Sequence, residues 1–191
     1  MKITFLPLEL ARWDQAPPGD LLAVGFYRDV RPLRGAAGLL DWRFDGRLSS
    51  LIVAGGLTGA LDEQLLMPSN RRLPWRLTLS VGLGPCAELD EARATRAIHR
   101  VLTTMRGLGL ARLALALPGR EGERLPAKRA LQLFLEESER TLPGVLAEVT
   151  LVETPAAQKE LGDAVRKRGA SRAREGERAA QRETAAARRR S

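Results

Sequence analysis

The residue types that carry most protein chemistry are scarce in this chain. One histidine, His99, and one cysteine, Cys86, occur in 191 residues. A zinc or manganese centre needs clustered His, Cys or carboxylate ligands, and neither residue has a companion of its kind nearby. No catalytic residue, no metal and no cofactor is therefore expected. His99 sits beside Ile98 in a helical pattern and reads as a surface or boundary residue. Cys86 follows Gly84-Pro85 near a helix start. It has no His or second Cys beside it and reads as an ordinary loop cysteine. Two loops remain as ligand candidates, Gly82 to Pro85 and Pro118 to Gly122. Both follow strand-like runs, and open α/β sheets bind ligands beyond the carboxyl ends of their strands. The rim of such a cleft would comprise Gly84, Gly119, Arg120 and Gly122, although a structural turn is the simpler reading of each. Trp13, Trp42 and Trp75 are scattered and make no stacking platform with interleaved basic residues. They read as core or partner contacts.

The elements that must position these loops are legible as periodicities. Ile3 to Leu8 reads as an edge strand, because Pro7 cannot donate to a ladder. Leu21 to Phe26 is a continuous apolar run, the pattern of a buried strand. Leu40, Phe44, Leu48, Leu51 and Ile52 recur at helical spacing and form one stripe. Gly46 interrupts them, marking either a break between two helices or a close approach of backbones. Leu65–Met67 and Trp75–Leu83 are strands; in the second, Leu77, Leu79 and Val81 alternate with Thr78 and Ser80. Asp90 caps a helix with the stripe Ala94, Ile98, Val101, Leu102, Met105 and Leu108. Leu113–Leu117 is a short strand buried on both faces. Pro126 opens a helix carrying Leu131, Phe134, Leu135 and Leu142, and Val149–Val152 is the last strand. Strands and helices alternate, so the class is α/β with a mixed sheet between helices.

The order of these pieces resembles the N-terminal domain of the leucyl (cytosol) aminopeptidases. That family runs through a "DLLVVG" strand, a "GAA…LD" helix start, a "G.L..LI…G…G" helix end, an "E.LL.P" strand and a "VGLG" strand. The matching residues are Asp20 to Gly25, Gly35-Ala36-Ala37 with Leu40-Asp41, Gly46 with Leu48 to Ile52, Gly59, Glu63 to Pro68, and Val81 to Gly84. A weaker likeness continues to about Glu153. The resemblance implies a macro-domain-like, three-layer α/β/α sandwich over residues 1–155. It also implies a non-catalytic domain. The family's metal ligands surround an Asn-Thr-Asp-Ala-Glu-Gly-Arg-Leu motif in its second domain, and these 191 residues contain no such motif. Macro domains hold ADP-ribose with a Gly-rich phosphate loop and an Asp that recognises adenine. Here Gly119 and Gly122 do not reproduce that loop, and Asp20 precedes its strand instead of ending it.

The formal net charge is +8. Residues 156–191 carry eleven Lys and Arg against five Asp and Glu, a net of +6, so the fold itself is nearly neutral. The tail has two large apolar residues, Leu161 and Val165, too few to offset chain entropy. It is expected to be disordered or transiently helical, with a short helix over residues 156–168. No apolar run approaches the ~20 residues of a membrane helix, and the opening residues are not a secretion signal. The expectation is a cytoplasmic, stand-alone, non-enzymatic domain that acts through protein contacts, with a partner or with itself. The alternatives are a macro-type binder of a nucleotide or ADP-ribose-like ligand, and weak nucleic-acid contact through residues 156–191.

Overall fold

A computed structural model of the chain describes residues 1–167. Six strands, β1 (Lys2–Pro7), β2 (Gly19–Phe26), β3 (Gln64–Pro68), β4 (Trp75–Gly82), β5 (Arg112–Leu115) and β6 (Glu148–Glu153), form one sheet in the order β1-β6-β5-β2-β4-β3. All neighbouring pairs are parallel except β3 with β4. The period-2 geometry of a strand covered on both faces explains why β2 is apolar from Leu21 to Phe26. Leu21 and Ala23 enter the core on one face of the sheet, Leu22, Val24 and Phe26 the core on the other.

On the first face lie α4 (Glu91–Gly107), α5 (Ala127–Thr141) and a helix over 155–167, here α6. On the second lie α1 (Leu10–Trp13), α2 (Gly35–Arg43) and α3 (Arg47–Val53). The architecture is the three-layer sandwich with a mixed sheet. Trp13 and Trp75 meet edge-to-face in the second core, with ring centroids 6.0 Å apart. Thr78 and Ser80, the polar alternates of β4, are fully buried, because α/β layers cover both faces.

Gly46 is a helix break. Its φ is +75°, and nothing lies within 4 Å of where a Cβ would stand, so no backbone approaches it. Asp41 makes the break possible. Its carboxylate, buried at the end of α2, accepts hydrogen bonds from the backbone amides of Leu48 and Ser49 and from the Ser49 hydroxyl. Those amides are unsatisfied donors of the first turn of α3. Asp90 caps α4 by accepting from the Arg93 amide. Leu108 is the exception in the α4 stripe: it lies just past the helix end and is exposed.

The domain does not stop at residue 155. α6 places Ala157 and Leu161 in the first core, Leu161 with no exposed surface, and Lys128 of α5 pairs with Glu160 at 3.3 Å. The short helix expected over residues 156–168 lies over 155–167 and is packed into the core, which corrects the expectation of a transient helix there. Two large apolar residues sufficed because both fall on one helical face, and the rest of that core already existed. Residues 168–191, and with them most of the basic tail, lie outside the described residues.

Candidate functional site

A cavity of about 230 Å³ opens beyond the carboxyl ends of β2, β5 and β6. Parallel strands end on the same side, and the chain must turn away there, which leaves a crevice. Its walls are apolar: Leu8, Ala36, Leu83, Ala116, Leu117 and Val152 all contribute. The polar groups are Tyr27, Arg120, Glu121, Glu153 and Thr154.

Arg120 is committed. Its Nε donates to Glu153 Oε1 at 3.0 Å and its Nη1 to the Leu125 carbonyl at 2.7 Å. Glu153 ends β6 and is only 4% exposed. Burial pushes its carboxyl above the ordinary range, and the Arg120 charge and hydrogen bond offset part of that rise. Glu121 is the reverse case. Burial again raises its pKa, opposed only by the charge of Arg34. Its Oε1 is buried with no hydrogen-bond partner among the described residues. Its Oε2 lies against Gly35, the first residue of α2, where a Cβ would come within 2.9 Å of it. The backbone carbonyl of Glu121 accepts from the Tyr27 hydroxyl at 3.2 Å. Burial drives the Tyr27 phenol upward, so it stays protonated.

Of the four rim residues read from sequence, Gly119 and Arg120 line this cavity, and Gly84 and Gly122 do not. The two loops nevertheless meet. Cys86, two residues beyond Gly84, has its Sγ 3.4 Å from where a Cβ on Gly122 would stand, and its amide donates to Asp29. Glu121, Glu153, Tyr27 and Gly35 were missed. The available signal was positional: Glu153 closes a strand-like run and Glu121 follows Arg120 in the candidate loop.

Asp20 lies inside β2, at its amino end and far from the cavity mouth. Its carboxylate accepts from the Ala111 and Arg112 amides at 3.1 and 2.9 Å and pairs with the Arg112 side chain. Burial alone would raise its pKa, but these contacts more than offset that and hold it low. Its work is to fix the start of β5 beside β2. His99 sits at the α4–α5 boundary with Nδ1 2.8 Å from Glu137 Oε1. Among the described residues no three His, Cys, Asp or Glu side chains group as metal ligands.

Residues 23–142 match the family described as "Cytosol aminopeptidase family, N-terminal domain". The chain belongs to the cytosol aminopeptidase family, N-terminal domain. A probable cytosol aminopeptidase of Pseudomonas fluorescens strain SBW25 is 34% identical over 157 residues, covering 76% of this chain and 31% of that protein. One from Streptomyces griseus is 32% identical over 103 residues, covering 52% and 20%. The chain thus spans under a third of the length of these curated relatives. Among solved structures, a Trypanosoma brucei macrodomain in complex with ADP-ribose superposes with a TM-score of 0.63 at 17% identity, covering 83% of this chain and 66% of that one. The macrodomain of Mycobacterium tuberculosis DarG gives 0.61 at 14%, covering 80% and 98%. At such identities the likeness establishes the macrodomain fold alone. No helix of this cytosol aminopeptidase N-terminal domain is long and apolar enough, among the described residues, to cross a membrane.

Proposed function

We propose that this chain is a non-catalytic binding domain whose working site is the cleft at the carboxyl ends of β2, β5 and β6. The observation that carries this reading is the cavity itself: apolar walls with a few convergent, buried polar groups, the usual form of a small-molecule site. The macro-type alternative thereby moves ahead of the turn-only reading of the Gly119 loop. ADP-ribose itself is a poor fit. At about 230 Å³ the cavity is smaller than the ~300–1,000 Å³ typical of sites for drug-sized ligands. A diphosphate entering it would meet two carboxylates, Glu121 and Glu153, and the one lining guanidinium, Arg120, is already paired.

The test is thermal unfolding of the full chain against a panel of small metabolites, repeated with Ala116→Phe, which fills the cavity from its wall. A saturable rise in melting temperature that disappears in the variant is expected. No rise with any compound would remove the reading. ADP-ribose is expected to give no shift.

A second reading, contact with another protein, is favoured by a separate observation. Trp42 on α2 and Val53 on α3 are 69% and 89% exposed on the helical layer of the second core. Exposed aromatic side chains are enriched where proteins meet. Light-scattering mass and co-purification, compared between the full chain and Trp42→Ser, test it. A strict monomer that retains no partner would exclude it.

A further inference from the structure

The two edges of the sheet are finished differently. At one, β1 carries Lys2, and its Pro7 carbonyl already accepts from Trp13 Nε1 and from the Glu9 amide. Lysine, proline and covered backbone are usual guards of an edge strand. At the other edge lies β3, whose sequence Gln-Leu-Leu-Met-Pro holds no charged residue. Two bonds at its ends fix its hydrogen-bonding phase: the Gly82 amide donates to the Glu63 carbonyl, and the Ser69 amide to the Arg76 carbonyl. In an antiparallel pair, residues that bond across alternate with residues that do not. Glu63, Leu65, Met67 and Ser69 therefore face β4 with their backbone groups. The amides and carbonyls of Gln64 and Leu66, and the carbonyl of Pro68, point away from the sheet. Side chains alternate with the same period. Leu66, opposite Leu79, stands on the first face and is 42% exposed; Leu65 and Met67 are half-buried on the second.

We propose that β3 pairs antiparallel with β3 of a second copy of this chain, about a two-fold axis at Leu66, so that the sheet continues across the dimer. In that register Leu66 faces Leu66, Leu65 faces Met67 and Gln64 faces Pro68. The two Leu66 residues exchange both amide–carbonyl bonds, and each Gln64 amide donates to the Pro68 carbonyl across the axis. Proline has no amide to return, but its place at the end of the ladder leaves only the Gln64 carbonyl to water. Sliding the strands by two residues one way sets Pro68 against Leu66 and breaks the central pair. Sliding them the other way sets Met67 against Glu63 and Leu66 against Gln64. Only the register centred on Leu66 gives all three apolar side chains of the strand apolar partners, the pairs that stabilise a sheet. The occupant is a second copy because the strand complements itself, as a two-fold interface requires. A strand of five residues is far short of the roughly 20–30 a side of a standard interface. The dimer is therefore weak, with a Kd on the order of 10–100 μM. No residue of β3 lines the cleft, so this surface is separate from the site proposed above.

The experiment is sedimentation velocity of the full chain across a concentration series, with residue-resolved amide exchange at both ends of the series. A reversible monomer–dimer equilibrium is expected. The Gln64 and Leu66 amides should exchange about tenfold or more slowly in the dimer than in the monomer, while those of Leu65 and Met67, bonded to β4, are protected at both concentrations. Leu66→Lys sets two ammoniums against each other at an exposed position. It should weaken dimerisation about tenfold or more and keep a cooperative melt. Trp42→Ser should leave dimerisation unchanged. A strict monomer whose Gln64 and Leu66 amides exchange fast at every concentration would overturn the proposal. Dimers kept in Leu66→Lys and lost in Trp42→Ser would overturn it and transfer the contact to the exposed helices. A monomer with those two amides always protected would overturn it by showing the edge covered from within the chain. Growth past the dimer would do so by showing strands that add without the two-fold. Should Leu66→Lys fail to fold, the alternation in exchange along β3 decides by itself.

Discussion

Two glutamates in this fold are set in opposite directions by their surroundings, and each predicts a different acid response. Glu137 is almost completely buried, which alone would raise its pKa. Hydrogen bonds from Thr141, His99 and Arg140 more than offset this and hold it below the ordinary value of 4.5. A depressed carboxyl contributes stability that is present above its unfolded pKa and is lost as pH falls through its folded one. Melting temperature should therefore drop on acidification below the glutamate range, and Glu137→Gln should flatten that limb while lowering stability at neutral pH. Glu121 has the opposite sign. Its folded pKa is raised by burial, so stability is fully present below the unfolded value and declines as pH rises through the folded one. Glu121→Gln should raise the melting temperature at neutral pH and leave it unchanged below pH 4.5, the ordinary glutamate value. A pH series of thermal melts on both variants checks the pair. At the same scale, Asp41→Ala removes the cap of α3 and should cost about 1–2 kcal/mol in denaturant titration.

At the scale of elements, the strands were the legible part and the reasons are local. Leu21 to Phe26 fills two cores at once, and an unbroken apolar run is how such a strand must be written. The cleft was half legible. A glycine loop after a strand announces itself, but the pairing of Arg120 with Glu153 spans 33 residues and depends on β5 and β6 lying side by side. No local pattern encodes that. α6 was undervalued because its apolar content is low, although Leu161 is completely buried. Burying one leucine is worth roughly 1.5–3 kcal/mol. A chain ending at residue 154 should therefore unfold at least about 2 kcal/mol more easily than one ending at residue 167. Equal stability of the two would show α6 to be a bystander. The Gly59–Ala60 backbone, which packs on the last residue of β4, makes a sharper demand. A Cβ on Gly82 would stand 1.9 Å from the Ala60 carbonyl oxygen, so the backbone itself would have to move. Gly82→Ala should cost at least about 2 kcal/mol and, because Leu83 next to it lines the cavity, should distort the cleft as well.

For the whole molecule, the family's sequence signature now has a mechanical meaning. Asp41 joins two helices, Gly82 lets the Gly59–Ala60 backbone lie against the end of β4, and Glu63 clamps the Thr58–Gly59 backbone amides at 2.6–3.0 Å. None of these residues lines the cleft. Other signature residues, Gly25, Gly35, Ala36 and Leu83, do form part of the cleft wall, while its polar groups, Tyr27, Arg120, Glu121, Glu153 and Thr154, lie outside the signature.

One edge of the sheet also sets an order in time. Among the described residues β1 is hydrogen-bonded to a single strand, β6, in parallel register from Lys2 with Glu148 to Pro7 with Glu153. Of the described strands, a chain leaving the ribosome makes β1 first and the one it pairs with, β6, last. Through most of synthesis that strand has nowhere to pair, and the loop that must close to seat it is nearly the length of the domain. Non-local parallel pairing of this kind slows folding and leaves a strand available to other chains in the interval. The nascent domain is therefore most exposed to association through β1, until residues 148–153 have emerged to take it in.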